Sequence, residues 1–249
     1  LKKASCQHCI SVMRTVWLKL SIFAPKKLYG GRTVNRSEIP HYAYTWPLAG
    51  IVETPNQLMI KDDIINFGAF KWQVLDIKNS KALIITEGIT ELRWYNDHFV
   101  DVTWAECELR KYLNNEFYNT FNQDEKAKIA AVTNCNPDNP WFKTKGGTDT
   151  IDSIFLLSLE EVCKYFGDSI ETLLNKGNQK WLIDDENNQK RQARYNGEYH
   201  WWRLRSPGYY GRTSASINSR GNVYVRGNGV YGRPKDGGGV RPALWLKLE

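Results

Sequence analysis

Apolar and polar positions alternate most regularly in two parts of the 249-residue chain. The first begins near Leu58. Ile64-Ile65-Asn66-Phe67, Phe70 to Ile77 and Lys81 to Thr86 are rich in β-branched and aromatic residues, and Asp76 to Ser80 supplies a turn between the last two. Such runs predict an antiparallel meander. The second part lies between Ser206 and Leu246. In Ser214 to Asn218 the side chains of Ala215 and Ile217 share one face, and Val223, Val225 and Val230 repeat the pattern. A period of two with apolar inner positions describes short, half-buried strands, and the intervening glycines suit turns of positive φ. A flexible linker keeps no such register, so this Gly-, Ser- and Asn-rich stretch is predicted to be a folded surface.

Between the two parts, helical spacing takes over. Thr103-Trp104-Ala105-Glu106 reads as a capping box ahead of Leu109, Tyr112, Leu113 and Phe117, and a second helix is expected after Asn122, through Glu125 to Ala131. Asn136 to Pro140 and Gly146-Gly147 predict a loop, and Ile154 to Leu157 a buried strand. Ser158 to Glu161 is a second capping box, opening a helix that stops at Gly167. Residues 168–197 read as polar and irregular. Residues 1–56 show no sustained period and end in Pro/Gly-punctuated sequence, so they are expected to form an extension that packs loosely or is partly disordered. The fold class is α+β, with one domain over residues 57–249.

The outward face of the C-terminal segment carries Tyr209, Tyr210, Arg212, Ser216, Asn218, Arg220, Tyr224, Arg226, Asn228, Tyr231 and Arg233, with Asp236 closing it. These are the candidate ligand-binding positions. Tyrosine offers a large contact area at low entropic cost, and arginine supplies planar donors that also stack. Exposed sheet faces also collect Tyr and Arg from strand propensity alone, which leaves a purely structural reading open.

Composition sharpens this picture. A hydrophobic content of 41% with ten Trp is enough for a real core. The net charge of +7 belongs to the last fifth of the chain, where nine Lys/Arg face two Asp/Glu from Trp201 onward. That asymmetry points to an anionic partner or to a solvated face. Five scattered cysteines are poor material for a disulfide framework. Cys6 and Cys9 form a lone C-x-x-C which, even with His8, lacks a fourth ligand, so no metal or cofactor is expected. The segment from Ser11 to Ala24 is interrupted by Arg14 and Lys19, so neither a membrane span nor a clean export signal is expected. His200 has no carboxylate at motif spacing, so no catalytic residue is expected.

Trp201-Trp202-Arg203-Leu204-Arg205-Ser206-Pro207-Gly208 and Gly239-Val240-Arg241-Pro242-Ala243-Leu244-Trp245-Leu246 resemble the closing part of a widespread bacterial and phage domain of unknown function. That domain is of the C-type-lectin-like, formylglycine-generating-enzyme-like group. Phe67-Gly68, Trp72 to Leu75, Tyr95-Asn96, Asp101 to Trp104, Leu109 to Asn114 and Ile154 to Ser158 are similar to the same family. The resemblance covers residues 57–249. It implies a C-type-lectin-like fold with antiparallel sheets, two or three helices and a long irregular C-terminal binding region.

Some members of that group are variable proteins of diversity-generating retroelements, in which adenines of a C-terminal cassette are mutagenised. A mutated Asn codon reaches Tyr, Ser, Gly or Arg but not Glu, Gln, Met or Trp, and residues 206–236 contain none of those four; Lys235 departs from the simplest form of the pattern. By resemblance, the candidate positions bind a protein or glycan target, 206–236 is the variable region, and Trp201, Trp202, Pro242 and Trp245 are scaffold. The location implied is a phage particle or a bacterial cell surface. Formylglycine-generating relatives use paired late cysteines, which this chain lacks after Cys163. Calcium-dependent sugar motifs are also absent, Tyr95-Asn96-Asp97 being the nearest approach. Two alternatives remain open: a lectin-like adhesion domain that is not diversified, or a basic nucleic-acid-binding module using Arg205, Arg212, Arg220, Arg226 and Arg233 between stacking tyrosines.

Overall fold

The computed structural model describes residues 60–167, 170–175, 181–232 and 237–248, all within the unit Pro55–Glu249. The extension 1–56 with Cys6 and Cys9, and the candidate positions Arg233 and Asp236, lie outside the described residues.

The architecture is α+β. The meander forms as expected from its alternation: β1 (Ile64–Phe67), β2 (Phe70–Lys78) and β3 (Lys81–Thr86) pair antiparallel. Asn79 and Ser80, at φ 50° and 54°, make the tight turn between β2 and β3, a geometry that matches the twist of the flanking strands. After β4 (Glu91–Arg93) comes α1 (Glu108–Tyr112), which continues through a π-helical turn, Leu113–Phe117, and a 3-10 turn, Tyr118–Thr120.

The helix starts later than the sequence pattern predicts. Thr103 spends its hydroxyl on Glu106 Oε2 at 3.2 Å within a turn, and buried Cys107 becomes the N-cap, its Sγ accepting from the Arg110 N–H at 3.4 Å. The next helix, α2 (Gln123–Lys128), is opened by a reciprocal Asn122–Glu125 capping box and stops short of the expected Ala131, because Ile129–Ala130 pairs with the last strand as β5.

β6 (Val132–Asn134) and β7 (Thr150–Asp152) then pair with each other. Ile154 to Leu157 is buried throughout but is not a strand, because it touches two sheets at once. Phe155 bridges to Ala243, while the Leu157 carbonyl accepts from the Arg205 N–H at 3.0 Å. The second capping box forms as predicted, with Ser158 and Glu161 bonding reciprocally at the start of α3 (Leu159–Phe166).

The stretch read as irregular holds four short elements: α4 (Ile170–Leu174), β8 (Leu182–Ile183), α5 (Asn188–Arg191) and β9 (Ala193–Tyr195). Elements this short carry too few residues to show a period, and they also take the helices beyond the two or three expected. β10 (Glu198–His200) pairs with β9. The chain closes with β11 (Trp202–Pro207), β12 (Thr213–Ile217), β13 (Val223–Gly229), β14 (Gly238–Val240) and β15 (Ala243–Lys247).

Two main sheets result. One has the order β1-β2-β3-β15-β5, so the last strand of the unit lies beside the early meander, Ala243 opposite Ile85 and Lys247 opposite Lys81. The other has the order β4-β14-β11-β12-β13-β8. The inner faces share one core in which Trp72, Trp104 and Trp202 are fully buried, together with Ala215, Ile217, Val223, Val225 and Val230. Trp202, Pro242 and Trp245 are buried in keeping with scaffold positions, while Trp201 is half-buried.

Candidate ligand-binding surface

The β11–β12–β13 ladder sets what faces outward. Ser216 pairs with Tyr224 and Ser214 with Asn228, so three residues of β13 stand opposite the single Ala215. This bulge centres on Gly227, at φ 75°, whose backbone packs so closely that a Cβ there would sit 2.1 Å from the Ser214 carbonyl oxygen. A bulge re-aims the side chains next to it, and Arg226 is the residue affected. Its guanidinium lies over the rings of Trp181, at 4.5 Å, and Tyr209, at 5.2 Å.

The loop before β12 is held by its backbone. Tyr209 N–H donates to the Arg226 carbonyl at 2.8 Å, and Gly208 N–H to the Thr213 carbonyl at 2.8 Å. Asn139 donates to the carbonyls of Pro207 (2.8 Å) and Val225 (3.2 Å), and Thr144 Oγ1 to that of Tyr209 (2.8 Å). Among the described residues, the hydroxyls of Tyr209 and Tyr210 have no hydrogen-bond partner. The fixed backbone therefore presents hydroxyls left open to a ligand.

Those side chains meet aromatics from distant loops. Tyr209 packs edge-on against Phe142 (4.6 Å between centroids) and against Tyr210 (4.3 Å). Arg212 lies 4.9 Å from the Tyr210 ring and 5.6 Å from Phe99, with Asp101 at 4.0 Å. Phe99 and Val100 are 55% and 51% exposed, unusual for large apolar side chains grouped with other exposed aromatics. The sequence pattern did not find Phe99, Val100, Phe142 or Trp181. The available signal was their type, large apolar residues in stretches otherwise polar.

The remaining predicted positions divide. Tyr231 is exposed and lies 5.5 Å from Trp94, and with Asn228 it lines a cleft of 380 Å³ shared with His200, Trp201 and Arg203. Ser216 is not a contact residue: it is fully buried, and its Oγ accepts from Asn228 Nδ2 at 2.8 Å, because the longer Asn covers it on the outer face. Asn218 is spent on the β12–β13 turn, its Oδ1 accepting from the N–H groups of Arg220 and Asn222. Arg220 is exposed, but at that turn, the opposite end of the hairpin from Tyr209 and Tyr210. Tyr224 is half-buried beside Leu182 of β8.

Part of the basic bias of the C-terminal fifth is internal: Arg203, Arg205 and Arg241 are buried, while Arg212, Arg220 and Lys247 are exposed. Arg205 is buried and ion-paired through both terminal nitrogens with Glu161, which removes it from any phosphate-contacting row. Arg241 is buried between Phe166 and Trp202 and donates to the carbonyls of Thr86 and Glu87. Arg203 is buried with no anionic partner, and burial pushes its guanidinium down to about 10. Among the described residues no group of three or more His, Cys, Asp or Glu side chains is placed to hold a metal ion, and no helix is long and apolar enough to cross a membrane.

A family model described as a domain of unknown function (DUF6273) matches residues 79–248, from the β2–β3 turn through the last strand. No curated protein and no solved structure matches the chain.

Proposed function

The chain belongs to the DUF6273 family, and from that premise we propose that it is a receptor-type binding protein whose C-terminal hairpin displays a contact surface for a protein or glycan target. The observation that carries this reading is the surface itself. Tyr209, Tyr210, Arg212 and Arg226 stand on a backbone fixed by main-chain and Asn139 hydrogen bonds, beside exposed Phe99, Val100 and Trp181. A rigid frame with large amphipathic side chains lowers the entropy lost on binding.

The scaffold in this reading is C-type-lectin-like. Support comes from the pairing of β15 with β3, which brings the two ends of the unit into one sheet while the C-terminal hairpins build the other. The surface serves as the variable face of a diversity-generating retroelement protein, displayed on a phage particle or a bacterial surface. In this reading the fully buried positions Ala215, Ile217, Val223, Val225 and Val230 hold the fold while the exposed ones vary. Sequencing the cassette across isolates tests this. Substitutions are expected to concentrate at Tyr209, Tyr210, Arg212, Arg226 and Tyr231, and a rate there equal to that of silent changes elsewhere rejects diversification.

A further inference from the structure

A guanidinium stacked on an aromatic ring uses its face and leaves its edge, where the N–H donors lie, for a planar acceptor. Four exposed or half-buried arginines stack this way, and they differ in what meets the edge. Arg93 lies 3.5 Å from the Tyr112 ring and pairs with Glu91. Arg194 lies 3.9 Å from the Tyr199 ring and donates to the Gly197 carbonyl. Arg226, over Trp181 and Tyr209, has no side-chain acceptor among the described residues. Arg212, over Tyr210, has only Asp101 at 4.0 Å, and both side chains of that pair are exposed.

The two open edges belong to one row. Trp181, Arg226, Tyr209, Tyr210, Arg212 and Phe99 follow one another at 4.5, 5.2, 4.3, 4.9 and 5.6 Å. Backbone bonds hold its ends: the Trp181 carbonyl accepts from the Val225 N–H at 3.0 Å, and the Gly211 carbonyl from the Val102 N–H at 3.1 Å. A nucleic acid asks for open ring faces on which bases stack and for a run of cations along its phosphates. Here the tyrosine rings are engaged by guanidinia and by each other at 85°, Arg205 is buried, and Arg220 lies at the far end of the hairpin. An acidic glycan needs the same open faces for its pyranose rings and gains nothing from apolar neighbours. Exposed Phe99, beside Arg212, and the adjoining Val100 instead suit the apolar side chains of a protein.

We infer that the target of this chain is an acidic protein segment, with carboxylates received by Arg226 and Arg212 on either side of the tyrosine pair and an apolar side chain received by Phe99 and Val100. The inference rests on the reading of this face as a binding surface and names the chemistry of the partner. It follows from the residues this chain carries, so a chain with other residues at Arg212 and Arg226 takes another target. Each carboxylate meets a planar donor edge, the arrangement that gives short, charge-assisted contacts. Asp101 is the internal competitor for one of them.

The test pans the full chain against a displayed library of random peptides and then titrates an enriched peptide. Asp and Glu beside an apolar residue are expected to dominate the enriched sequences. Arg212→Gln and Arg226→Gln should each weaken the enriched peptide by at least about tenfold. Asp101→Asn should tighten it about two- to fivefold by removing the competing carboxylate, a gain that no folding defect produces. Enriched peptides that need Tyr209 and Tyr210 but show no acidic bias overturn the inference and leave the binding surface standing. An absence of any enrichment that Tyr210→Ala removes overturns both. Arg212-dependent binding of heparin or of a single-stranded oligonucleotide that is tighter than binding of the peptide also overturns the acidic-protein target.

Discussion

The guanidinium of Arg226 lies 4.5 Å from the centroid of the Trp181 ring, joining a residue of the Tyr- and Arg-rich hairpin to an aromatic from a separate loop. Because Trp181 remains 39% exposed, this contact shapes the surface more than it holds the fold. Exposed cation–π pairs contribute about 0.5–1 kcal/mol. A double-mutant cycle with Arg226→Ala and Trp181→Phe, read from urea denaturation midpoints, is expected to give a coupling of about that size. A coupling near zero would show that the two side chains stand side by side without interacting.

The division between surface and scaffold is open to the same measurement. Tyr210→Ala and Arg212→Ala should change stability by about 0.5 kcal/mol or less, since both side chains are exposed and leave the core intact. Ile217→Ala removes a fully buried side chain from the core at the other end of β12 and should cost about 2–5 kcal/mol. Equal costs would mean that the tyrosines and arginines are structural.

Much of this division was legible in the sequence. The period of two identified Ala215, Ile217, Val223, Val225 and Val230 as inner positions, and all five are fully buried. What it could not show was which outward residues cover one another. Ser216 faces outward by parity, yet Asn228 lies over it, because the bulge at Gly227 shifts the register that parity assumes constant. Nor could periodicity place Phe99, Phe142 and Trp181 beside the hairpin. Loop residues carry no period, and their meeting with Tyr209 and Arg212 depends on tertiary packing. Thr103 and Ser158 show the same limit at helix starts. Both begin a capping box in sequence, but only Ser158 caps a helix, because buried Cys107 takes that place in α1.

Gly227 is the position where the hairpin is least forgiving. A Cβ there would meet the Ser214 carbonyl oxygen, and the φ of 75° is strained for any other residue. Gly227→Ala is expected to cost about 1–3 kcal/mol from the backbone conformation, with a further penalty from the clash. Because the bulge positions Arg226, the variant should also alter the fluorescence of Trp181. An unchanged midpoint and unchanged emission would place the bulge elsewhere.

Cys107 makes alkaline stability predictable in sign. Burial pushes its thiol up to about 12, while an exposed thiol ionises near 8.5. A raised folded value means the stabilisation is fully present below the unfolded value and is lost as pH rises towards 12. Between pH 8.5 and 10.5 the loss from this group alone should be about 1–3 kcal/mol. Cys163, also pushed up to about 12 by burial, adds to the fall. Cys107→Ser keeps an N-cap acceptor for the Arg110 N–H and removes the titration, so its denaturation midpoint should fall less steeply over that range. Parallel pH profiles for the variant and the parent chain would remove Cys107 from the account.

Asp152 is fully buried, and four donors converge on it: Trp104 Nε1 (3.0 Å), Asn134 Nδ2 (3.0 Å) and Thr150 Oγ1 (2.7 Å) on Oδ2, and Arg110 Nε (2.6 Å) on Oδ1. The carboxylate ties α1 to the β6–β7 pair, from which the chain runs on to the Asn136 and Asn139 loop that holds the binding-surface backbone. An amide at this position can still accept from three of the donors but would turn its own N–H groups towards Arg110. Removing one partner of a buried pair leaves the other uncompensated, so Asp152→Asn is expected to cost about 3–5 kcal/mol. Arg110→Met alone should cost less, because the carboxylate keeps three neutral donors. In the Asp152→Asn background it should recover part of the loss, since the opposed donors are then gone. A double-mutant cycle with additive costs would show that the Arg110 contact is incidental and that the three neutral donors alone hold Asp152 in place.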